Sequence, residues 1–223
     1  MFLLGLTGSI GMGKSATSAM FCARGIPVYD ADAVVHALYR GAAVPLIDAA
    51  FPNCLAIDGS VDRMRLGERV LNDPNALKRL EGIVHPLVGA ARNEFITQAE
   101  RHGTSLVVLD VPLLFETGGE GGVDAIALVS APETVQKERV CGRPGMTPER
   151  FAAIVAKQLP DSEKRLRSHF SIDTSRGFAA AERQVAGILR AISGATGRRR
   201  NWGENARDCS RYGDDGIGSG ERS

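Results

Sequence analysis

Short apolar runs alternate with longer amphipathic segments along most of the chain. The runs are too short for helices and have little polar alternation, which is typical of strands buried on both faces of a parallel sheet. The predicted strands are Phe2–Leu6, Ile26–Tyr29, Ser105–Leu109, Ala125–Val129 and Phe170–Ile172. Helical patterns lie between them, at Lys14–Arg24, Glu133–Val140, Pro148–Gln158 and Phe178–Ile192. The pattern predicts a three-layer α/β fold with a five-stranded parallel sheet.

Two connections are too long to be simple crossovers. Residues 33–102 hold several helical patterns and predict a helical substrate subdomain, inserted between the second and third strands. His85-Pro86 predicts that one of these helices ends there. Residues 139–167, which are basic around Gly142–Gly145, predict a small lid. The nucleotide-binding core would then comprise residues 1–32, 103–138 and 168–193.

The composition changes near residue 194. Residues 197–223 contain six glycines, six arginines and five acidic residues, and Ile217 is their only branched aliphatic residue. Burial of so little apolar surface cannot offset the entropy lost on ordering. We therefore predict a disordered tail over residues 194–223.

Composition and charge exclude several classes of protein. Hydrophobic residues make up 43% of the chain, which is ordinary for a globular protein. The formal charge is +1, so no global electrostatic field attracts nucleic acid or anionic lipid. No apolar stretch approaches the length of a membrane span, and the N-terminal segment is predicted to be a strand and not a signal peptide. The four cysteines form no C-x-x-C pair, which indicates a reducing compartment and predicts a cytoplasmic protein.

The most informative motif directly follows the first predicted strand and opens a helix. Gly8-Ser9-Ile10-Gly11-Met12-Gly13-Lys14-Ser15 fits the P-loop pattern G-x-x-x-x-G-K-[ST]. Backbone N–H groups of such a loop surround the phosphates of a nucleotide, and the helix N-terminus adds positive potential. Lys14 is predicted to contact the β- and γ-phosphates and the Ser15 hydroxyl to bind Mg²⁺.

The remaining pattern favours a kinase of small molecules among the P-loop proteins. No N-K-x-D motif for guanine is present, and a helical insertion followed by a basic lid is a small-molecule kinase layout. A nucleotide-sensing module without transfer chemistry, and a kinase with another acceptor such as a nucleoside monophosphate, stay open as alternatives.

Three aspartates follow predicted strands, at the sheet edge where α/β proteins bind ligands. Asp30 and Asp32 follow the second strand, and we assign Asp32 the role of general base for the attacking hydroxyl. Asp30 suits either a helix cap or a role at the metal. Asp110 ends an apolar strand in the manner of a Walker B acid and is a further candidate Mg²⁺ ligand.

These residues together resemble the dephospho-CoA kinase family. The matching segments are Leu6–Ser15, Asp30-Ala31-Asp32, Asp58–Arg63, His85-Pro86 and Pro112-Leu113-Leu114-Phe115-Glu116, with Gln158 and Phe170–Gly177 in addition. The resemblance spans about residues 2–192. The sequence departs from the family at Ala16, where threonine is common, at Ser168-His169-Phe170, where Ala-Asp is frequent, and at Thr174, where asparagine is frequent.

The resemblance implies an activity and a set of roles. The activity implied is transfer of the γ-phosphoryl group of ATP, with Mg²⁺, to the ribose 3′-hydroxyl of dephospho-CoA. The fold implied is an NMP-kinase-like variant of the P-loop fold, in which the helical insertion binds CoA. The expected partners are these two small molecules, with a monomer or weak homo-oligomer, no nucleic acid and no membrane. The resemblance also implies three sets of site residues. The ATP-binding residues would be Gly11, Met12, Gly13, Lys14, Ser15, Ala16 and Arg139. The catalytic residues would be Asp32, Lys14 and Arg143, and the substrate-binding residues would be Asp32, Arg63, His85, Pro112, Leu113 and Glu116.

Overall fold

The computed structural model describes residues 1–71 and 73–195. They divide into two compact units. The first unit comprises residues 1–29 and the described residues from Gly103 onward. The second unit is Asp30–His102.

A five-stranded sheet with the order β2-β3-β1-β4-β5 forms the centre of the first unit. The pairs β1–β3, β1–β4 and β4–β5 are all parallel. The strands are β1 Phe2–Thr7, β2 Val28–Asp30, β3 Leu106–Asp110, β4 Ala125–Ser130 and β5 Phe170–Asp173. Every residue of β3 and β4 is buried, as expected for strands covered on both faces. The predicted α/β fold is confirmed, and each predicted strand lies within a residue or two of its observed position.

Nine α-helices are present in the described residues, together with a 3₁₀ helix at Gly119–Gly122. They are α1 Lys14–Cys22, α2 Ala31–Leu38, α3 Val44–Ala50, α4 Arg63–Val70, α5 Pro74–Arg101, α6 Glu133–Cys141, α7 Pro148–Val155, α8 Asp161–Arg167 and α9 Phe178–Ala195. The core of the first unit packs α1 and α9 on the sheet through side chains such as Leu4, Phe21, Val129, Ile172 and Val185.

The second unit is helical and has its own apolar core. Asp30, Asp62 and Asp73 cap α2, α4 and α5, where each carboxylate accepts a hydrogen bond from a backbone N–H of the first turn. The core packs the four helices α2–α5 through Leu38, Ile47, Phe51, Leu66, Leu80 and Val84. This unit contains the whole of the segment, residues 33–102, in which we predict the substrate subdomain.

The predicted helix end at His85-Pro86 is wrong, because α5 continues through Pro86 to Arg101. A proline inside a helix removes one hydrogen bond and costs about 3 kcal/mol. Here the bond that is lost would be accepted by the Gly82 carbonyl, and both residues are exposed, so water can hydrate that group. Leu80 and Val84 are buried in the turns that precede Pro86, and Phe95 and Ala99 in those that follow. Their packing outweighs the local cost.

Two further segments were predicted as separate elements. The segment predicted as a lid, residues 139–167, contains the last turn of α6 together with α7 and α8, and Lys164 in α8 is fully buried. Its movement as a lid stays a prediction.

The predicted tail begins too early, because Gly194 and Ala195 belong to α9; residues 196–223 lie outside the described residues. No helix in the described part of the chain is long and apolar enough to cross a membrane.

Candidate active site

The P-loop connects β1 to α1 and depends on three of its glycines. Gly11 and Gly13 have φ values of 77° and 91°, in the left-handed region that side chains disfavour. Gly8 lies so close to the sheet that an added Cβ atom would be 2.6 Å from the Val129 carbonyl oxygen. A side chain at any of these three positions would therefore meet strain or a close neighbour, and glycine avoids both.

Gly8→Ala is expected to destabilise the protein, since the new methyl group meets a carbonyl oxygen of a buried strand that cannot move aside. We expect a loss of about 1–3 kcal/mol in the free energy of unfolding, measured by urea denaturation. The matched control is Gly89→Ala in α5, where an added Cβ meets no atom within 4 Å and should stabilise the helix by about 0.5–1 kcal/mol. Equal stability of the two variants would contradict the close approach at Gly8.

Lys14 forms an ion pair with the buried acid at the end of β3. Its Nζ lies 2.6 Å from Oδ1 of Asp110, whose side chain is 2% exposed. Lys14 begins α1 after the loop that follows β1, and Asp110 ends β3, which pairs with β1, so both lie at the same edge of the sheet. Both residues are predicted to lie near the phosphates, and the structure brings them together.

Two glutamines hold the first half of the loop. The backbone N–H of Ile10 donates to Oε1 of Gln158 at 3.2 Å, and its carbonyl accepts from Nε2 of Gln136 at 2.8 Å. Both backbone groups of one loop residue are therefore bonded to side chains from outside the loop. Gln136 is buried in α6 and was not predicted, because a lone glutamine in a helix has no recognisable pattern.

Thr174 and Arg139 hold the second half. The Thr174 hydroxyl donates to the Met12 carbonyl at 2.7 Å, and Arg139 donates to the Thr174 hydroxyl at 2.8 Å and to its carbonyl at 2.9 Å. Arg139 also reaches the Gly11 carbonyl at 3.4 Å. Met12 is anchored as well, since its sulfur accepts a hydrogen bond from the N–H of Ala131. Thr174, which stands where the family often has asparagine, therefore contacts the loop directly.

A cavity of about 440 Å³ opens beside this half of the loop. Its lining includes four residues predicted to bind ATP, Gly11, Gly13, Ala16 and Arg139, and the predicted catalytic residue Arg143. The rest of the wall comes from α1, through Thr17 and Met20, and from the residues that follow β5 and begin α9, including Thr174, Ser175 and Phe178. The Asp173 carboxylate accepts hydrogen bonds from the hydroxyl and the N–H of Ser175. These bonds fix the turn after β5 and lower the pKa of Asp173.

The Pro112–Glu116 motif lies just beyond β3. The Pro112 carbonyl accepts a hydrogen bond from the Thr7 hydroxyl at 3.0 Å, and Leu113 is exposed. Burial raises the pKa of Glu116, but hydrogen bonds from Lys164 and from the Leu159 N–H outweigh it and lower the pKa overall. Glu116 is therefore a carboxylate with partners from the chain itself. Its predicted role in substrate binding stays a prediction.

Three predicted residues belong to the second unit. Asp32 lies in the first turn of α2, Arg63 begins α4 and His85 is exposed on α5. Asp30 accepts a hydrogen bond from the Ala33 N–H at 3.0 Å, so of the two roles left open for it the cap is the one observed. The roles of Asp32, Arg63 and His85 in the reaction stay predictions.

No group of three or more His, Cys, Asp or Glu side chains suited to a metal occurs among the described residues. The Ser15 hydroxyl is exposed at the start of α1, and hydroxyl and carboxylate oxygens are the ligands that Mg²⁺ prefers. Such a donor set fits an ion that arrives with a nucleotide and needs one or two protein ligands.

Comparison with known proteins gives consistent results. A family model described as dephospho-CoA kinase matches residues 2–179. A dephospho-CoA kinase of Mesorhizobium japonicum is 54% identical over 197 residues, which is 88% of this chain and all of that protein. The one from Bradyrhizobium diazoefficiens is also 54% identical, over 85% of this chain and 94% of its own length. The crystal structure of TT1252 from Thermus thermophilus superimposes with a TM-score of 0.76 at 34% identity, covering 86% of this chain and 97% of that one.

Proposed function

The chain belongs to the dephospho-CoA kinase family, and we propose that it transfers the γ-phosphoryl group of ATP to the ribose 3′-hydroxyl of dephospho-CoA. The products are coenzyme A and ADP. The observation that carries the proposal is the complete P-loop, with Lys14 held at its end, in a chain whose family match extends from residue 2 to residue 179.

The donor nucleotide occupies the P-loop in this proposal. Backbone N–H groups from Gly11 to Ala16 surround the phosphates, and the Lys14 ammonium moves from Asp110 to the β- and γ-phosphates. Arg139 and Arg143 add positive charge beside the cavity next to the loop. Because phosphoryl transfer depends mainly on positioning and on stabilisation of charge, these contacts supply most of the catalysis.

Magnesium accompanies the nucleotide. The Ser15 hydroxyl would hold the ion, and the Asp110 carboxylate would become available as a second ligand once Lys14 contacts the phosphates. When bound, the ion neutralises charge on the β- and γ-phosphate oxygens. Asp110 would therefore pair with Lys14 in the enzyme without nucleotide and bind Mg²⁺ in the enzyme with MgATP.

Asp32 accepts the proton of the attacking ribose hydroxyl. The hydroxyl oxygen forms a bond to the γ-phosphorus, the bond between that phosphorus and the bridging oxygen breaks, and ADP leaves. Arg63, His85, Pro112, Leu113 and Glu116 contribute to binding of the acceptor. We further propose that the enzyme works in the cytoplasm, as a monomer or weak homo-oligomer.

An acceptor panel tests this function. With MgATP and dephospho-CoA, AMP, CMP, shikimate or gluconate, a coupled assay should detect fast ADP release with dephospho-CoA alone. The second unit carries Arg40, Arg63, Arg65 and Arg69, which suits an extended anionic acceptor better than a small neutral one. Preference for a nucleoside monophosphate would overturn the choice of acceptor, and ADP release that no acceptor stimulates would favour a nucleotide sensor.

A further inference from the structure

A lysine is buried beneath the P-loop, where a charged side chain is not expected. Lys164 in α8 has no exposed surface and is among the largest fully buried side chains of the described residues. Lysine is almost never fully buried unless its ammonium group is paired. The sequence does not predict the burial of Lys164, because a charged run such as Asp161–Arg167 is typical of a solvated helix face.

The ammonium group has two partners. Nζ lies 2.8 Å from Oε1 of Glu116 and 3.1 Å from Oγ of Ser9, the second residue of the P-loop. The same Glu116 oxygen accepts a hydrogen bond from the Leu159 N–H at 2.9 Å. One buried positive charge thus joins the segment before α8, the segment after β3 and the P-loop.

This contact adjoins the two glutamine bonds to Ile10. Ser9 is held by Lys164, and both backbone groups of Ile10 are held by Gln158 and Gln136. Gln158 and Leu159 are consecutive, so Lys164 and its carboxylate partner also fix the backbone that carries Gln158. The loop before Gly11 is therefore held from outside at two successive residues.

A buried ammonium group is expensive to desolvate, and packing alone would be served better by an apolar side chain of similar length. Conformational precision at the loop gives a reason for its presence. Small displacements of groups that orient a reacting phosphate reduce rates strongly.

We propose that Lys164 is a positioning residue for phosphoryl transfer. Its ammonium group, oriented by Glu116, holds Ser9 so that the P-loop keeps the geometry that binds the phosphates of ATP. The proposal rests on the proposed function for its effect on turnover, whereas its effect on nucleotide affinity does not depend on the acceptor.

Lys164→Met tests the proposal, because methionine keeps most of the length and removes the charge. We expect the Kd for MgATP, measured by calorimetry, to rise at least tenfold and kcat to fall at least tenfold in protein that is folded by circular dichroism. The control is Lys137→Met on α6, which makes the same change at an exposed lysine and should alter neither value by more than twofold. Unchanged Kd and kcat in folded Lys164→Met would overturn the proposal.

Ser9→Ala keeps the experiment decisive should Lys164→Met not fold. Removal of the hydroxyl leaves the Lys164–Glu116 pair intact and should weaken MgATP binding about threefold to tenfold. Where both single variants fold, their effects on Kd should not add in the double variant, since they disrupt one contact. Nucleotide affinity unchanged by Ser9→Ala, or fully additive effects, would contradict a role exerted through Ser9.

The two proposals fail differently. If wild-type enzyme releases no ADP with dephospho-CoA, the proposed acceptor is wrong, but the MgATP affinities still test Lys164. If wild-type enzyme is active and the Lys164→Met and Ser9→Ala variants bind MgATP normally, only the role of Lys164 is lost.

Discussion

Lys14→Ala is expected to reduce turnover with MgATP to below about 1% of wild type, a loss of at least ~2.7 kcal/mol of transition-state stabilisation. The variant lacks the ammonium group that balances charge on the β- and γ-phosphates. A coupled ADP assay with saturating acceptor measures the effect.

Stability must be measured alongside, because Lys14 also pairs with the buried Asp110. Loss of that ion pair is expected to lower the melting temperature, so activity is compared at a temperature where the variant is fully folded. Lys137→Ala, which removes an exposed lysine, serves as the control and should retain full turnover. Turnover of folded Lys14→Ala close to that of wild type would show that the P-loop does not bind the transferred phosphate.

Asp32→Asn is expected to lower kcat by about 10²–10⁴-fold while the Kd for MgATP changes little. Asparagine preserves the size of the side chain and part of its hydrogen bonding but cannot accept the proton of the ribose hydroxyl. Calorimetry with MgATP and a coupled turnover assay separate binding from chemistry.

The neighbouring acid gives a matched control. Asp30 caps α2 through its Oδ1 atom, and the amide oxygen of asparagine can accept the same hydrogen bond from Ala33. Asp30→Asn should therefore keep nearly normal turnover. An inactive Asp30→Asn beside an active Asp32→Asn would reverse the two assignments, and normal turnover of both variants would mean that the base lies elsewhere or that a loose transition state needs none.

Local sequence signals predict much of this fold and part of the site. The sequence from Phe2 to Ser15 has an apolar run, spaced glycines and a lysine in the order that a strand, a phosphate loop and a helix require. Those signals act within a few residues, and the structure follows them. The approach of Lys14 to Asp110 is also accessible to sequence reasoning, because the P-loop that follows β1 and the acid that ends β3 lie at the same edge of a parallel sheet.

Features that depend on distant packing are not accessible in this way. Pro86 predicts a helix end by its local chemistry, but apolar residues on both sides of it are buried along one continuous helix. In the sequence Lys164 cannot be distinguished from the other charged residues of α8. Only folding brings it to Ser9, which is 155 positions away in the sequence. In both places tertiary contacts decide the outcome over local preference.

The position of the transferred phosphate tests the central claim most directly. Wild-type enzyme is incubated with dephospho-CoA and ATP labelled with ¹⁸O in its γ-phosphoryl group, and the product is analysed by mass spectrometry and ³¹P NMR. The account predicts one labelled phosphate per product molecule, at the ribose 3′-hydroxyl, with ADP formed in equal amount. Label recovered only as inorganic phosphate, or at any other position of the acceptor, would contradict it.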